Sequence, residues 1–295
     1  MSDHWVLIDT SYMCYRHFFQ MRKLSHDGIA TGVLFGFMRD LVALKEQFGD
    51  QFVFCFDYGY NKRKDIDSGY KSSRAKKREE STEEETKAFD EMRKQIDLLR
   101  TTFLYKLGFR NIVSQEGYEA DDLIAKIAKQ TKEPHRATIV SSDHDLYQCL
   151  RDNVDMWDPT QKKLTRKLDF VKEYHLQPTA WRMVKAIAGC GSDDVVGVKG
   201  VGEKTAVKYM LHDLKSTTKA YMAIQSSKKI IRGNMELVSL PMAGTKRVQL
   251  APNVITEKRW DKMMSKFGMT SLRNKPPKLK RKGFVNGESK QGQFI

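Results

Sequence analysis

Three aspartates that each follow a short apolar run have the clearest chemical potential in this chain. Asp9 and Asp57 come directly after their runs, and Asp143 follows its run after two serines. Continuously apolar, β-rich runs are typical of strands buried on both faces of a parallel sheet, and ligands bind beyond the carboxyl ends of such strands. Each aspartate alone could be a helix N-cap. Three together favour a metal site, because clustered carboxylates resist joint ionisation unless cations are bound.

A fourth acidic segment extends this candidate site. Glu119, Asp121 and Asp122 fall within four residues at the start of a predicted helix, where the helix dipole alone favours one or two acids. Asp145 follows Asp143 by two residues. An oxygen-only ligand set suits Mg²⁺, with Mn²⁺ as a substitute, and no cysteine or histidine pair has zinc spacing. The predicted cluster comprises Asp9, Asp57, Glu119, Asp121, Asp122, Asp143 and Asp145.

The charge balance of the chain indicates a polyanionic partner. The 295 residues carry 52 Lys and Arg against 37 Asp and Glu, a formal net charge of +15, although the predicted site is acidic. Surface cations can hold the phosphates of a nucleic acid while metal ions bind the reacting one. The apolar runs are too short to span a bilayer, and the amino terminus enters a strand without a signal peptide. With four scattered cysteines predicted to be reduced, we expect a cytoplasmic protein with no membrane partner.

Hydrophobic spacing predicts the elements that would position these acids. An apolar stripe predicts a helix over 32–49, and a strand over 52–56 follows it, which makes a right-handed strand–helix–strand unit. A second helix, over 86–107, follows a candidate capping box at residues 81–85 and ends at Gly108. Further predictions are strands over 109–113 and 246–254 and a short amphipathic helix over 260–267.

A cation-rich segment over 61–78 separates the second predicted strand from the second predicted helix. It has almost no apolar residues to bury, so we expect it to stand off the body of the protein. A solvated, disordered loop is the ordinary explanation of such a segment. Its position directly after the Asp57 strand favours a functional element, because Tyr70, Lys71 and Arg74 can share one helical surface and suit base stacking and phosphate binding.

A glycine-rich motif over 197–206 is the second diagnostic block. The sequence Gly-Val-Lys-Gly-Val-Gly-Glu-Lys-Thr-Ala predicts two helices joined by a hairpin, with backbone N–H groups facing outward at a helix N-terminus. Such a motif would bind the phosphates of a duplex without reading its bases. The residues expected to contact DNA are Lys199, Gly200, Gly202, Lys204 and Thr205.

With these blocks in order, residues 3–240 resemble the flap endonuclease/5′-nuclease family. The likeness is greatest to the stand-alone phage enzymes and to the 5′-nuclease domain of bacterial family A DNA polymerases. The matches are the strand-end aspartates (Asp9 and Asp57), a Glu-Ala-Asp-Asp motif (119–122), paired aspartates (Asp143 and Asp145), a Tyr-Lys-x-x-Arg arch motif (70–74) and the glycine hairpin (197–206).

The resemblance implies a fold and a chemistry. The fold class would be α/β, a mainly parallel sheet flanked by helices (a PIN-like 5′-nuclease core), with a helical arch and a helix–hairpin–helix DNA-binding lobe. Lys71 and Arg74 would be catalytic, and Tyr70 would contact DNA. Two Mg²⁺ ions would be bound by the acidic cluster, the second by Asp143, Asp145 and a further acid, Asp193. In relatives the hairpin carries a backbone-bound K⁺, which is a candidate here as well.

The chain departs from the family at one acidic position. Where relatives show Gly-Asp-x-x-Asp-Asn before the hairpin, residues 189–194 read Gly-Cys-Gly-Ser-Asp-Asp. Asp193 keeps the second acid, but Cys190 replaces the first and Asp194 replaces the asparagine. Mg²⁺ gains little from a thiol. The second ion would therefore be held loosely or through water, or Asp194 would substitute as a ligand.

The implied function is structure-specific hydrolysis of DNA phosphodiesters near a 5′ end, nick or flap, in replication or primer removal. The protein would act as a monomer, with replication proteins as candidate partners. One alternative is a catalytically inactive DNA-binding protein, which Cys190 alone encourages, and the other is an RNA-directed PIN-like nuclease, which the hairpin disfavours. The predicted organisation is a nuclease core over 1–175 with the arch at about 58–85, a DNA-binding lobe over 176–240, a core-packing segment over 241–272 and a basic, disordered tail over 273–295.

Overall fold

Apolar runs rich in β-branched and aromatic residues form the central sheet. The computed structural model describes residues 3–21 and 23–276. The strands within these residues are β1 (His4–Asp9), β2 (Ser25–His26), β3 (Ile29–Ala30), β4 (Gln51–Phe56), β5 (Ile112–Ser114), β6 (Arg136–Val140), β7 (Val154–Asp158), β8 (Lys163–Thr165), β9 (Gly189–Cys190) and β10 (Val195–Val196).

Six of these strands pair in the order β5–β4–β1–β6–β7–β8. The pairs β5–β4, β4–β1, β1–β6 and β6–β7 are parallel, and β8 closes one edge in antiparallel pairing with β7. The carboxyl ends of the parallel strands therefore meet at one edge of the sheet. The predicted fold class, an α/β protein with a mainly parallel sheet flanked by helices, is confirmed.

Helices cover both faces of the sheet, and several begin or end where the sequence predicts. The helix predicted over 32–49 ends before Gly49, which has a φ of +93°. The one predicted over 86–107 begins earlier, because Thr82 and Glu85 form the capping box, and continues through a π-helical turn to Leu107. The helices are α1 (Thr10–Met21), α2 (Gly32–Phe48), α3 (Arg63–Ile66), α4 (Ser72–Glu79), α5 (Glu83–Leu98), α6 (Leu104–Leu107), α7 (Ala120–Gln130), α8 (Lys167–Tyr174), α9 (Trp181–Ala188), α10 (Glu203–Met210), α11 (Lys219–Ser226), α12 (Lys228–Val238) and α13 (Glu257–Lys266).

Alternate side chains of the central strands enter two different cores. Leu7 and Val53 pack against α7, α9 and α10 on one face of the sheet. Ile8 and Phe54 pack against α1, α2, α5 and α13 on the other face. Each fully buried aliphatic or aromatic side chain is worth roughly 1.5–3 kcal/mol. Burial on both faces thus fixes the strand ends that carry the predicted acids.

Two predicted strands differ from the structure. The strand predicted over 109–113 is the shorter β5, because Phe109 turns into the core next to Phe54. The segment 246–254 is not a strand in the described structure. Its backbone bonds with side-chain amides instead of a neighbouring strand, for example Lys246 N to Gln115 and Val248 N to Gln130. Hydrophobic alternation cannot reveal this kind of pairing.

The cation-rich segment over 61–78 is folded and does not wholly stand off the body. It contains α3 and α4, and no residue of α4 is buried. Arg63 and Tyr70, however, are only 1% and 3% exposed. The prediction failed here because Arg63 is buried through ion pairing, which hydrophobic composition does not report.

The carboxyl-terminal part of the described chain packs on the sheet. The helix predicted over 260–267 is α13, in which Trp260 is fully buried and donates its indole N–H to the Leu272 carbonyl over 2.7 Å. Most of the predicted basic tail, residues 277–295, lies outside the described residues. Among the described helices, none has the length and apolar character that crossing a membrane requires.

Candidate metal centre

Three parallel strands deliver aspartates to one edge of the sheet. β1 ends at Asp9, β4 ends one residue before Asp57, and β6 ends three residues before Asp143. Asp9 is 7% exposed and accepts hydrogen bonds from Tyr12 N and Ser141 Oγ, each at 3.0 Å. The strand ends therefore bring these carboxylates to one edge of the sheet.

Helix α7 adds the fourth acidic segment to the same edge. Glu119 is its N-cap residue, and Asp57 Oδ1 accepts a 2.8 Å hydrogen bond from Ala120 N, which ties β4 to this helix. Asp121 Oδ1 is buried and has no hydrogen-bond partner among the described residues. A buried, orphaned carboxylate oxygen among other acids fits a hard divalent cation such as Mg²⁺.

The acids perturb one another strongly. Burial first, and then the Asp57 charge, raises the pKa of Asp9 to about 7. Burial together with Asp143 and Asp9 raises the pKa of Asp121 well above its ordinary range. Because these folded-state pKa values exceed the unfolded ones, the cation-free protein loses stability as pH rises toward 7 and the carboxylates ionise. Bound cations would relieve this repulsion.

A second group of candidate ligands lies beside the first. Ligand atoms of Asp145, Cys190 and Asp193 all lie within 4.8 Å of one another. Burial and the neighbouring Asp143 raise the pKa of Asp145 to about 6. Lys185 Nζ is 2.9 Å from Asp145 Oδ1 and 3.6 Å from Glu203 Oε2, so it joins this group to the start of α10.

Asp194 faces away from this group. It has a φ of +59°, and its Oδ2 accepts a 2.8 Å hydrogen bond from Ser73 N in the first turn of α4. The structure thus uses Asp194 to anchor α4. This arrangement contradicts the idea that Asp194 replaces the missing acid as a ligand, and it leaves Cys190 in the ligand position.

The two predicted catalytic cations lie against the acids. Lys71 forms an ion pair with Glu119, and its Nζ is 3.6 Å from Asp193 Oδ1. Arg74 Nη2 is 2.9 Å from the same Asp193 oxygen. Lys71 has a φ of +54°, an unusual conformation for a residue other than glycine, and its N–H bonds to the Asp193 carbonyl over 2.9 Å.

Tyr70 is not available for the predicted stacking on a base. Its side chain is buried, and its hydroxyl lies 2.9 Å from Glu119 Oε2 and 3.1 Å from Asp193 Oδ2, as a donor to these acids. The described conformation leaves this side chain no free face for a base, and its contact with DNA stays a prediction. Tyr70 instead holds the start of α4 against the acidic cluster.

Arg63 is the functional residue that the sequence did not reveal. Its guanidinium donates to both oxygens of Asp122, at 2.7 and 2.8 Å, and its Nη1 is 3.2 Å from Glu119 Oε2. Its Nε also donates to the Leu237 carbonyl over 2.8 Å. Arg63 thus occupies this fully buried carboxylate in the described conformation, and the metal-binding role of Asp122 stays a prediction.

The chain is similar in sequence to known 5′-3′ exonucleases. A family model described as 5′-3′ exonuclease, N-terminal resolvase-like domain, matches residues 4–175. A 5′-3′ exonuclease of Mycoplasmopsis pulmonis is 30% identical over 239 residues, which cover 80% of this chain and 75% of that protein. This chain belongs to the 5′-3′ exonuclease family. It is thus a nuclease, as the sequence predicts.

Other relatives differ in how much of their length matches this chain. A 5′-3′ exonuclease of Aquifex aeolicus is 31% identical over 69% of this chain and 68% of that protein. The thermostable DNA polymerase I of Thermus aquaticus is 31% identical over 70% of this chain but only 23% of the polymerase. The chain therefore spans about a quarter of the polymerases that it matches.

Solved structures share the fold of this family member. T5 5′-exonuclease with bound zinc aligns with a TM-score of 0.67 at 21% identity, covering 81% of this chain and 90% of that one. The catalytic core of Rad2 in complex with DNA substrate aligns with a TM-score of 0.53 at 14% identity, covering 90% and 87%. These identities establish a common fold.

The glycine motif of this exonuclease-family chain forms an exposed loop between two packed helices. The helices, α9 and α10, are not consecutive as predicted, because β9, a 3₁₀ turn and β10 precede the motif. Gly197 passes so close to α9 that a Cβ would lie 2.1 Å from the Ala188 carbonyl oxygen. The predicted DNA-contact residues Lys199, Gly200, Gly202 and Lys204 are exposed, and Thr205 is partly exposed.

Replacing Arg63 with alanine should destabilise the protein by roughly 3–5 kcal/mol, because Asp122 is left buried without its partner. Urea unfolding measures this change. Arg93→Ala, which breaks an exposed ion pair with Asp90, should cost less than about 1 kcal/mol. The double variant Arg63→Met/Asp122→Leu should recover part of the loss. A cost below 1 kcal/mol for Arg63→Ala would contradict the anchoring role.

Proposed function

We propose that the protein is a structure-specific 5′-nuclease that hydrolyses DNA phosphodiesters at 5′ ends and flaps. The observation that carries this proposal is a buried acidic cluster, at the carboxyl edge of a parallel sheet, with two cations of a flanking helical segment directly against it. Such a pairing suits phosphoryl chemistry, because the acids hold cations and the basic side chains meet phosphate charge. Family membership and the DNA complex of the Rad2 core support the choice of substrate.

The acids divide into two candidate cation sites. Asp9, Asp57, Asp121 and Asp143, with Glu119 beside them, would hold one Mg²⁺, for which Mn²⁺ could substitute. Asp145 and Asp193, with Cys190, would hold the other. When bound, the cations would polarise the scissile phosphate and lower the pKa of the attacking water. Bound K⁺ at the hairpin, the monomeric state, the cytoplasmic location and replication partners stay predictions.

Lys71 and Arg74 would act on the phosphate only after they change partners. In the described conformation both are neutralised by Glu119 and Asp193. A cation bound among the acids would compete for those carboxylates and release the two side chains toward a phosphate. Donors preorganised for developing charge are worth several kcal/mol in a site from which water is excluded.

The glycine motif would hold the duplex beyond the cleavage point. Its exposed lysines and the N-terminus of α10 suit phosphate binding without base readout. Lys185 connects Glu203 at the start of α10 to Asp145. The duplex-binding motif and the second cation site would thus be linked through the two ion pairs of Lys185.

Asp121→Asn and Asp143→Asn should each abolish Mg²⁺-dependent cleavage of a labelled 5′-flap DNA while leaving duplex affinity nearly intact. Each change removes a cation ligand and no phosphate contact. Asp152→Asn, at an exposed acid paired with Lys167, is the matched control and should cleave normally. Blunt duplex and matched RNA in the same assay test the substrate preference. Substantial turnover by both cluster variants would rule out the assigned cation site.

Lys71→Ala and Arg74→Ala should lower the single-turnover cleavage rate by about 100-fold or more, as loss of a preorganised donor does elsewhere. Their Kd for flap DNA should change little, because the other cations of the segment remain. Lys77→Ala, in the same exposed helix α4, is the control for general loss of charge. If only Kd rises, the segment is an electrostatic tether and not part of the catalytic machinery.

Replacing Lys199 and Lys204 together with alanine should weaken binding to every duplex sequence alike. The slope of log K against log salt should become shallower by about 2, since two phosphate contacts are lost. Lys258→Ala/Lys262→Ala on α13 removes the same charge from another surface and should leave the slope unchanged. If wild type and the Lys199→Ala/Lys204→Ala variant show the same salt slope, the duplex binds to another surface of the protein.

A further inference from the structure

A thiol and two carboxylates form a compact, buried ligand group. Cys190 and Asp193 are each 9% exposed and Asp145 is 8% exposed, and one ligand atom from each lies within 4.8 Å of the others. Ligand atoms that bind one cation tetrahedrally at 2.0–2.3 Å lie roughly 3.3–3.8 Å apart, up to about 1 Å less than this distance. A small inward movement of side chains would therefore complete three-point coordination.

A short hairpin of the backbone positions two of these three ligands. Cys190 pairs with Val195 across the β9–β10 hairpin, and the 3₁₀ turn Gly191–Asp193 between these strands brings Asp193 back toward the thiol. The Asp193 carbonyl accepts from Lys71 N, which fixes the turn against the start of α4. The thiol is thus held in position by a short hairpin and does not merely fill a core gap.

A second observation points to a ligand at this group. Asp145 Oδ1 is buried, and among the described residues its one partner is the Lys185 ammonium, 2.9 Å away, which leaves the oxygen room for a further ligand. With the thiol ionised, the three ligands carry a charge of about −3, opposed by Lys185 at Asp145 and by Lys71 and Arg74 at Asp193. A divalent cation would take the place of Lys71 and Arg74, which the proposed function releases toward a phosphate, and would keep the group near neutrality with Lys185 in place.

The donor chemistry decides which cation this would be. Mg²⁺ is hard, prefers oxygen in a near-ideal octahedron and gains little from sulfur, whereas borderline cations bind thiolates readily. We propose that Cys190 converts the second cation site into a thiolate–carboxylate site for a borderline divalent cation of the zinc class, such as Zn²⁺ or Co²⁺, rather than for Mg²⁺. Binding replaces the thiol S–H bond with a sulfur–metal bond and releases that proton to solvent.

This inference rests on the proposed function for the role of the site in catalysis. Its test does not depend on that function. As a second site of a 5′-nuclease, it would make the protein a mixed-cation enzyme with an oxygen-only site beside a sulfur-containing one. Cation binding itself requires neither DNA nor cleavage. Direct binding measurements therefore separate failure of the proposed site from failure of the proposed activity.

The first experiment titrates the metal-free full chain with Cd²⁺ and Co²⁺ in the absence of DNA. One thiolate-to-metal charge-transfer band should appear with a stoichiometry of one ion. Cys190→Ser should abolish the band, and Cys149→Ala, which removes a buried core thiol outside the group, should keep it. An equal band in Cys190→Ser, or no band in wild type, would overturn the proposal. Circular dichroism of each metal-free variant verifies folding.

The second experiment compares Zn²⁺ and Mg²⁺ affinities by calorimetry. Cys190→Ser should weaken Zn²⁺ binding by about tenfold or more, in the range typical of a disrupted metal site, and leave Mg²⁺ binding within about twofold. Cys190→Asp should tighten Mg²⁺ binding and weaken Zn²⁺ binding. If wild type already binds two Mg²⁺ ions and Cys190→Asp changes neither affinity, the thiol is not a ligand. Flap cleavage by the same samples then reports on function independently.

Discussion

The ion pair between Arg63 and Asp122 is the interaction on which the arrangement of the site depends. A single buried guanidinium holds α7 through Asp122, approaches Glu119 and bonds to the end of α12 through Leu237. Three chain segments that are distant in sequence therefore share one charged group. Because each partner is buried, loss of any one leaves an uncompensated charge or polar group, and this makes the geometry hard to vary.

Only some of the remaining acids are balanced by cations of the flanking helical segment. Lys71 and Arg74 neutralise Glu119 and Asp193, while Asp9 and Asp121 form no ion pair within residues 3–21 and 23–276 and their pKa values rise. The protein thus holds part of its acidic cluster in a neutralised form and part in a form that favours protons or metal ions. In the proposed function, metal ions would replace the lysine and arginine side chains as the partners of these carboxylates.

Features that depend on a local sequence pattern could be predicted from the sequence. Asp9, Asp57 and Asp143 were located because apolar runs predict parallel strands, and the position of a strand end is a local property. The burial of Arg63 and Tyr70 could not be predicted, since each depends on acids more than 45 positions away along the chain. The pairing of Asp122 with Arg63 could not be predicted for the same reason. The place of Asp122 in an acidic motif was visible, but its partner lay within a cation-rich segment that resembles a solvated loop.

The irregular segment 246–254 lies beside the outermost parallel strand of the sheet. Side chains of Asn111 and Gln115, on either side of β5, bond to its backbone at Ala251 and Lys246. The outermost parallel strand is therefore covered by a chain that offers few free backbone groups of its own. An exposed strand would invite pairing with a second molecule and growth of aggregates. Because segment 246–254 forms no strand, it lies beside this edge without offering a second molecule a further ladder to pair with.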